Sequence, residues 1–353
     1  MKRPVRNEGA CRILWSDSVV CGKINHCMNT SSDTKFQSPS IIQALLAGFN
    51  TIASKPDLIL IPIALDLFLW FGPVWRIDRL FGPIVKNITQ LPGISAVEIP
   101  PFIENYQAMM HDILTNFNLA VSLRTLPIGV PSLMVSKSSY LNPIGQPITF
   151  SLDSSTQFLI AWLLFVLVGY FLGNLYFLNI SKQILGYHQE NIKSLLKSFY
   201  QIVLMPILLL MIIVILSLPL IFLVALVTII SPVIGQFLIT LALVFILWAI
   251  MPLVFTPHGI FLYKQNLIAA MITSIKVVRI SMGKTIWFIL ASYLMVEGLN
   301  YLWRSPNVDN WFLFVGILGH AFIVSAIIAA SFHYFIDATR FSQSVINNNL
   351  KLT

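Results

Sequence analysis

The sequence predicts an all-α fold, a polytopic transmembrane helix bundle of six spans with amphipathic interfacial helices and a long outer loop. Three observations carry that prediction. Residues 198–263, 66 in all, contain no Asp, Glu, Lys or Arg, which is too long for one lipid-spanning helix of about 20 apolar residues and suits two antiparallel ones. Of the whole chain, 57% is hydrophobic and only 10% charged, so too little polar surface exists to cover a 353-residue globule in water. The basic residues behind the net charge of +8 gather in short segments beside apolar windows, where anionic headgroups attract them. The lipid bilayer is therefore the expected partner. None of the signatures of nucleic-acid binding is present, and that class is set aside.

Residues 1–37 hold no apolar window and read as a disordered leader, with Met28 as a possible internal start. Arg12, Asp17 and Lys23 interrupt any signal-peptide core, so the first span is expected to act as its own insertion signal. All three cysteines, Cys11, Cys21 and Cys27, precede Met28, an arrangement that supports neither a disulfide framework nor a zinc site. The membrane domain is expected over 38–340, with a cytosolic tail at 341–353.

Six charge-poor windows follow, at 58–75, 156–180, 202–230, 235–256, 285–303 and 311–336. Each is long enough to cross about 30 Å of hydrocarbon at 1.5 Å per residue, the first only just. Ser231, Pro232 and Gly235 supply the turn between the third and fourth. With the N-terminus inside, the inner segments hold 16 Lys and Arg against six in the outer ones, and without residues 1–27 the ratio is still 11 to six. Both termini are therefore placed in the cytosol of a cell, with the bacterial cytoplasmic membrane as the expected location. Trp75, Trp162, Trp303 and Trp311 all fall at outer ends of spans, as headgroup-level anchors do.

The outer loop, 76–155, carries eight of the 19 prolines and is expected to be water-facing, extended and turn-rich. Within it Phe102, Tyr106, Met109, Met110, Ile113, Phe117 and Ala120 recur at helical spacing opposite Glu104, Gln107, Asp112 and Asn116, which marks an amphipathic cap helix. Similar amphipathic stretches at 44–49, 194–199 and 270–275 precede the first, third and fifth spans, as if an inner-surface helix plus hairpin were used three times. This layout resembles uncharacterised bacterial six-helix membrane families related to the membrane domain of glycerophosphodiester phosphodiesterases. The resemblance covers 41–340 as a pattern, implies cytosolic amphipathic segments ahead of hairpins, and transfers no catalytic residue.

Two carboxylates, Asp66 and Glu297, stand inside spans, where each costs roughly 2.5 to 3.5 kcal/mol unless it faces a partner or water. His320 lies at a similar expected depth. With Asn300 these residues form the candidate intramembrane cluster, read either as a proton relay, cation or solute site, or as hydrogen-bonded glue pinning three helices together. Gly169 with Gly173, Gly316 with Gly319, and Ala326 with Ala330 read as close-packing faces. His333 and Asp337 lie four apart, but two ligands do not make a metal site. Pro62, Pro206, Pro219 and Pro252 are compatible with broken helices at a transport site and equally with ordinary kinks. No catalytic, cofactor or metal motif is found, and an enzyme is not expected. The functional expectation is a permease-like protein for a small solute or ion. One alternative is a membrane scaffold that docks protein partners through the outer loop or the inner basic helices. Another is the membrane subunit of an ATP-driven transporter, with Ala269, Ala270 and Ser274 in a coupling helix whose usual glutamate and glycine are here Ile268 and Ser274.

Overall fold

The computed structural model describes residues 38–89, 100–137, 141–186 and 191–350. The leader 1–37 with its three cysteines lies outside the described residues, as do the side chains of Phe102, Glu104, Tyr106 and Gln107 on the cap helix. The chain is overwhelmingly helical: α1 (Ile41–Ser54), α2 (Leu60–Phe71), α3 (Asp78–Thr89), α4 (Pro100–Asn116), α5 (Ser155–Leu185), α6 (Ile192–Ile230), α7 (Pro232–Ile250), α8 (Thr256–Tyr263), α9 (Leu267–Ile280), α10 (Met282–Trp303) and α11 (Phe312–Leu350). Among the described residues one small sheet occurs, in which β1 (Val74–Arg76) runs parallel to β2 (Thr149–Ser151), with Trp75 opposite Phe150.

Among the described residues, five helical stretches are long and apolar enough to cross a membrane: α5, α6, α7 continued to Tyr263, α10, and α11 as far as Asn348. This makes the chain an integral, multi-pass membrane protein. The first expected span differs in its make-up. In place of a continuous helix over 58–75 there is a 3₁₀ turn, Pro56–Ile59, and then the 12-residue α2. Turn and helix together, at about 2.0 and 1.5 Å per residue, cover about 26 Å, which is close to the hydrocarbon thickness and leaves this the shortest of the expected crossings. Gly72 ends it in an extended conformation with ψ 177°, the geometry that the following Pro73 imposes on its neighbour. The last helix continues past 340, to Leu350.

The described residues fall into two compact units. In the unit formed by 38–44, 191–288 and 331–350, Asn191 caps α6 through its side chain, and Ser231 with Pro232 separates α6 from α7. Pro206 and Pro219 lie inside α6 without ending it, whereas Pro252 falls in a 3₁₀ turn, Met251–Leu253, that does break the fourth span. At that break Ser274 Oγ donates to the Pro252 carbonyl (2.6 Å) and accepts from Phe255 N (3.1 Å), re-satisfying backbone groups the helix releases. The fourth span then ends in buried α8, around which Phe255, Phe261, Tyr334 and Phe335 form a fully buried aromatic core. Phe288 stacks on Tyr334 with ring centroids 4.4 Å apart. Most of the apolar surface of α6 and α7 is not buried by protein, as befits helices whose solvent is lipid. Ala270 and Ser274 are fully buried, so the face expected of a coupling helix is committed to the protein's own interior, with Ile268 and Ala269 left exposed.

In the other unit, 45–186 and 289–330, small residues set the spacing. A Cβ at Gly48 would lie 2.3 Å from the Ala326 carbonyl and 2.6 Å from the Ala330 methyl, so α1 packs directly on α11 rather than only lying ahead of a span. Gly316 and Gly319 give the same close approach to Trp303. Of the three amphipathic stretches expected to repeat, 44–49 and 270–275 sit in separate helices, whereas 194–199 opens the uninterrupted α6.

Candidate functional site

The outer loop is not simply water-facing. After α4, the chain from Leu119 to Lys137 is almost devoid of regular helix, with 3₁₀ turns only at Leu119–Leu123 and Met134–Ser136. Yet Ile128, Val130 and Leu133 are fully buried. Two glycines of α5 make room for it. A Cβ at Gly169 would lie 2.3 Å from the Leu123 carbonyl, and one at Gly173 would lie 3.0 Å from Gly129 Cα. Tyr170 between them donates its hydroxyl to the Leu126 carbonyl at 2.6 Å. Counted from Ser155, Gly169 and Gly173 lie about 21 and 27 Å along α5. The segment 119–137 therefore packs back along the middle of α5, a helix long and apolar enough to cross a membrane, where irregular backbone is tolerated only if protein or a wet cavity surrounds it. The glycine pair reads correctly from sequence as a close-packing face; its partner is this segment rather than another helix.

Asp66 holds the far end of the re-entrant segment. Its carboxylate, fully buried on α2, accepts from Ser132 Oγ (2.5 Å), Leu133 N (3.1 Å) and Met134 N (3.0 Å). Three donors on one carboxylate cap the start of the Met134–Ser136 turn, and charge-assisted bonds of this kind are roughly twice as strong as neutral ones. The turn rests in an apolar core of Trp70, Leu133, Met134, Leu313 and Ile317. Trp70 adds a bond from Nε1 to the Val308 carbonyl at 2.8 Å.

The other members of the expected cluster meet each other. Asn300 Nδ2 donates to Glu297 Oε1 at 3.4 Å, which leaves Asn300 Oδ1 to accept from His320 Nδ1 at 2.7 Å. With Nδ1 as the donor, the neutral ring presents a lone pair at Nε2. That atom is buried and has no partner among the described residues. Glu297 also pairs with Arg304 at 3.6 Å, where both side chains are partly exposed and the pair is correspondingly weak. Asp66 makes no hydrogen bond to Glu297, Asn300 or His320 among the described residues. The four-residue cluster thus resolves into a saturated carboxylate on α2 and a Glu297–Asn300–His320 chain linking α10 to α11.

The re-entrant segment also carries a charge, Arg124. Arg124 is exposed and has no ion-pair partner among the described residues. Sequence reasoning passed over Arg124 and the Ser132–Met134 donors because it treated the loop as solvated. A signal was present: across 113–136 Arg124 is the only charged residue. Asp337 meets Arg340 at 3.8 Å. Among the described residues no three His, Cys, Asp or Glu side chains gather as metal ligands. Compared with family models, curated proteins and solved structures, the chain matches none.

Proposed function

We propose that this integral membrane protein is permease-like, carrying a small solute along a path organised by the re-entrant segment 119–137, with both termini on the cytosolic face of a cell membrane. The observation that carries the reading is irregular backbone packed along α5 and bearing an exposed guanidinium, Arg124, the one charge across 113–136. Lipid does not tolerate that arrangement, whereas a water-filled passage does. The Glu297–Asn300–His320 chain, ending in a lone pair without a partner, gives such a passage a polar wall. The excess of basic residues in the inner segments supports the orientation. A scaffold role draws on the unburied apolar surface of α6 and α7, but lipid covers that surface without a protein partner.

The test uses a chain freed of cysteine by replacing Cys11, Cys21 and Cys27 with Ser. Arg124→Cys and Lys193→Cys are then probed singly with a small membrane-impermeant thiol reagent on intact cells. Arg124→Cys should react from outside, and Lys193→Cys only after permeabilisation. An Arg124→Cys that is inert from both faces would remove the water path; a Lys193→Cys that labels from outside would invert the orientation.

A further inference from the structure

Between α2 and the end of α4 lies a cavity of about 280 Å³, near the lower end of the range for small-molecule sites. Its wall is mostly apolar, with Trp70 from α2, Ile113 from α4, and Phe117, Val121 and Met134 from the segments that follow. Two charged side chains, Asp112 and Lys137, interrupt it. This is the composition of ligand sites in general, a largely apolar chamber with a few polar groups that fix orientation.

Neither charge is matched. Lys137 donates to the Pro306 carbonyl, a neutral acceptor, and pairs with no carboxylate among the described residues. Burial holds its ammonium below the ordinary value of 10.5, and the positive charge of Arg304 pushes it further the same way. A cation in that condition gains from a counter-charge. Asp112 accepts from Asn116 Nδ2 at 2.6 Å through one oxygen and meets no cation among the described residues. The two are not paired with each other among the described residues, so the same cavity is lined by both a cation and an anion. Other polar groups of the lining are already engaged: Asn118 Oδ1 accepts from Trp75 N and Ala120 N, and Ser136 Oγ donates to the Leu133 carbonyl.

We propose that this cavity binds a small zwitterion of the amino-acid type, its carboxylate on Lys137, its ammonium on Asp112 and an apolar side chain against Trp70, Phe117 and Met134. Lys137 is half-buried and gains from an anion, while Asp112 is exposed and can meet a ligand's ammonium at little desolvation cost, so a ligand carrying both charges uses both groups. Met134 belongs to the turn that Asp66 holds, so the cavity and the re-entrant segment share a wall. The proposal rests on the permease reading in that it names a substrate class for it, but the site is tested by binding and not by flux.

The probes are L-leucine and L-phenylalanine, set against the analogues that lack one charge: 4-methylpentanoate and 3-methylbutylamine for the first, 3-phenylpropanoate and 2-phenylethylamine for the second. Each is titrated calorimetrically into the purified full chain in detergent. At least one amino acid should bind, and both of its one-charge analogues should bind at least about tenfold more weakly. Lys137→Met and Asp112→Asn should each lose about tenfold or more, and Lys137→Arg should retain binding. Binding of neither amino acid, an analogue as tight as its parent, or affinity unchanged in both Lys137→Met and Asp112→Asn would each overturn the site. Uptake into proteoliposomes is measured separately. Binding without uptake leaves the site standing and overturns the permease reading.

Discussion

Asp66 offers the sharpest perturbation, because its surroundings predict which property it controls. A fully buried carboxylate takes three donors from consecutive residues, Ser132, Leu133 and Met134. Hydrogen bonds to a charged group contribute about 1.5 to 3 kcal/mol each, and a buried donor stripped of its partner costs about 1 to 3 kcal/mol. The three bonds share one acceptor group, so their effects do not add. Asp66→Leu should destabilise the protein by about 3 to 5 kcal/mol, the usual cost of removing one side of a buried charged contact. Asp66→Asn keeps the shape and one acceptor oxygen but turns an NH₂ toward donors, and should cost about 2 kcal/mol. The loss should be local before it is global, because the bonds hold the end of one irregular segment. In the cysteine-free background, Leu133→Cys, at 0% exposure, should be unreactive with Asp66 present and become reactive in Asp66→Asn. The midpoint of thermal unfolding in detergent should fall in step. If Asp66→Asn leaves both the midpoint and the Leu133→Cys reactivity unchanged, the carboxylate is not the latch inferred from its bonds, and a role in moving protons or cations becomes the better account.

Two further outcomes follow from the geometry. Gly169→Ala places a methyl 2.3 Å from the Leu123 carbonyl and should cost about 1 to 3 kcal/mol by overpacking. Gly298→Ala on α10, where nothing lies within 4 Å of the new methyl, should instead raise the unfolding midpoint, since Ala exceeds Gly by up to about 1 kcal/mol inside a helix; equal effects at the two positions would contradict the close packing of segment 119–137 on α5. Lys137 is held below 10.5 in the folded state by burial and then by Arg304, so in the alkaline window below 10.5 the unfolded chain binds more protons and this group's contribution to stability rises with pH. Lys137→Met should flatten that rise in a pH series of thermal midpoints, and an unaltered slope would show that the ammonium is not desolvated.

Elements set by nearest neighbours in the chain and by lipid were legible in the sequence. The charge-free run 198–263 announced the α6–α7 pair because no other solvent accommodates that many apolar residues with their backbone satisfied. Ser231 with Pro232 marked the turn between them, and the later spans followed with ends displaced by several residues. Asp66, Glu297, Asn300 and His320 stood out because a polar group in an apolar window is costly wherever it finally points. The windows could not reveal the partners. The 12-residue α2 has the same apolar character as a full span, and its early end depends on Gly72 and Pro73 leading into a strand that pairs with residues more than 70 positions later. The proline-rich stretch 119–137 looks like a solvated loop because its local signals concern backbone shape, and backbone shape does not say what covers it. Only the tertiary fold supplies the glycine-lined face of α5 and the Asp66 carboxylate that let irregular backbone descend into the bundle. Composition reports which solvent a segment prefers, while burial and hydrogen-bond satisfaction depend on groups distant in sequence that meet only in the folded chain.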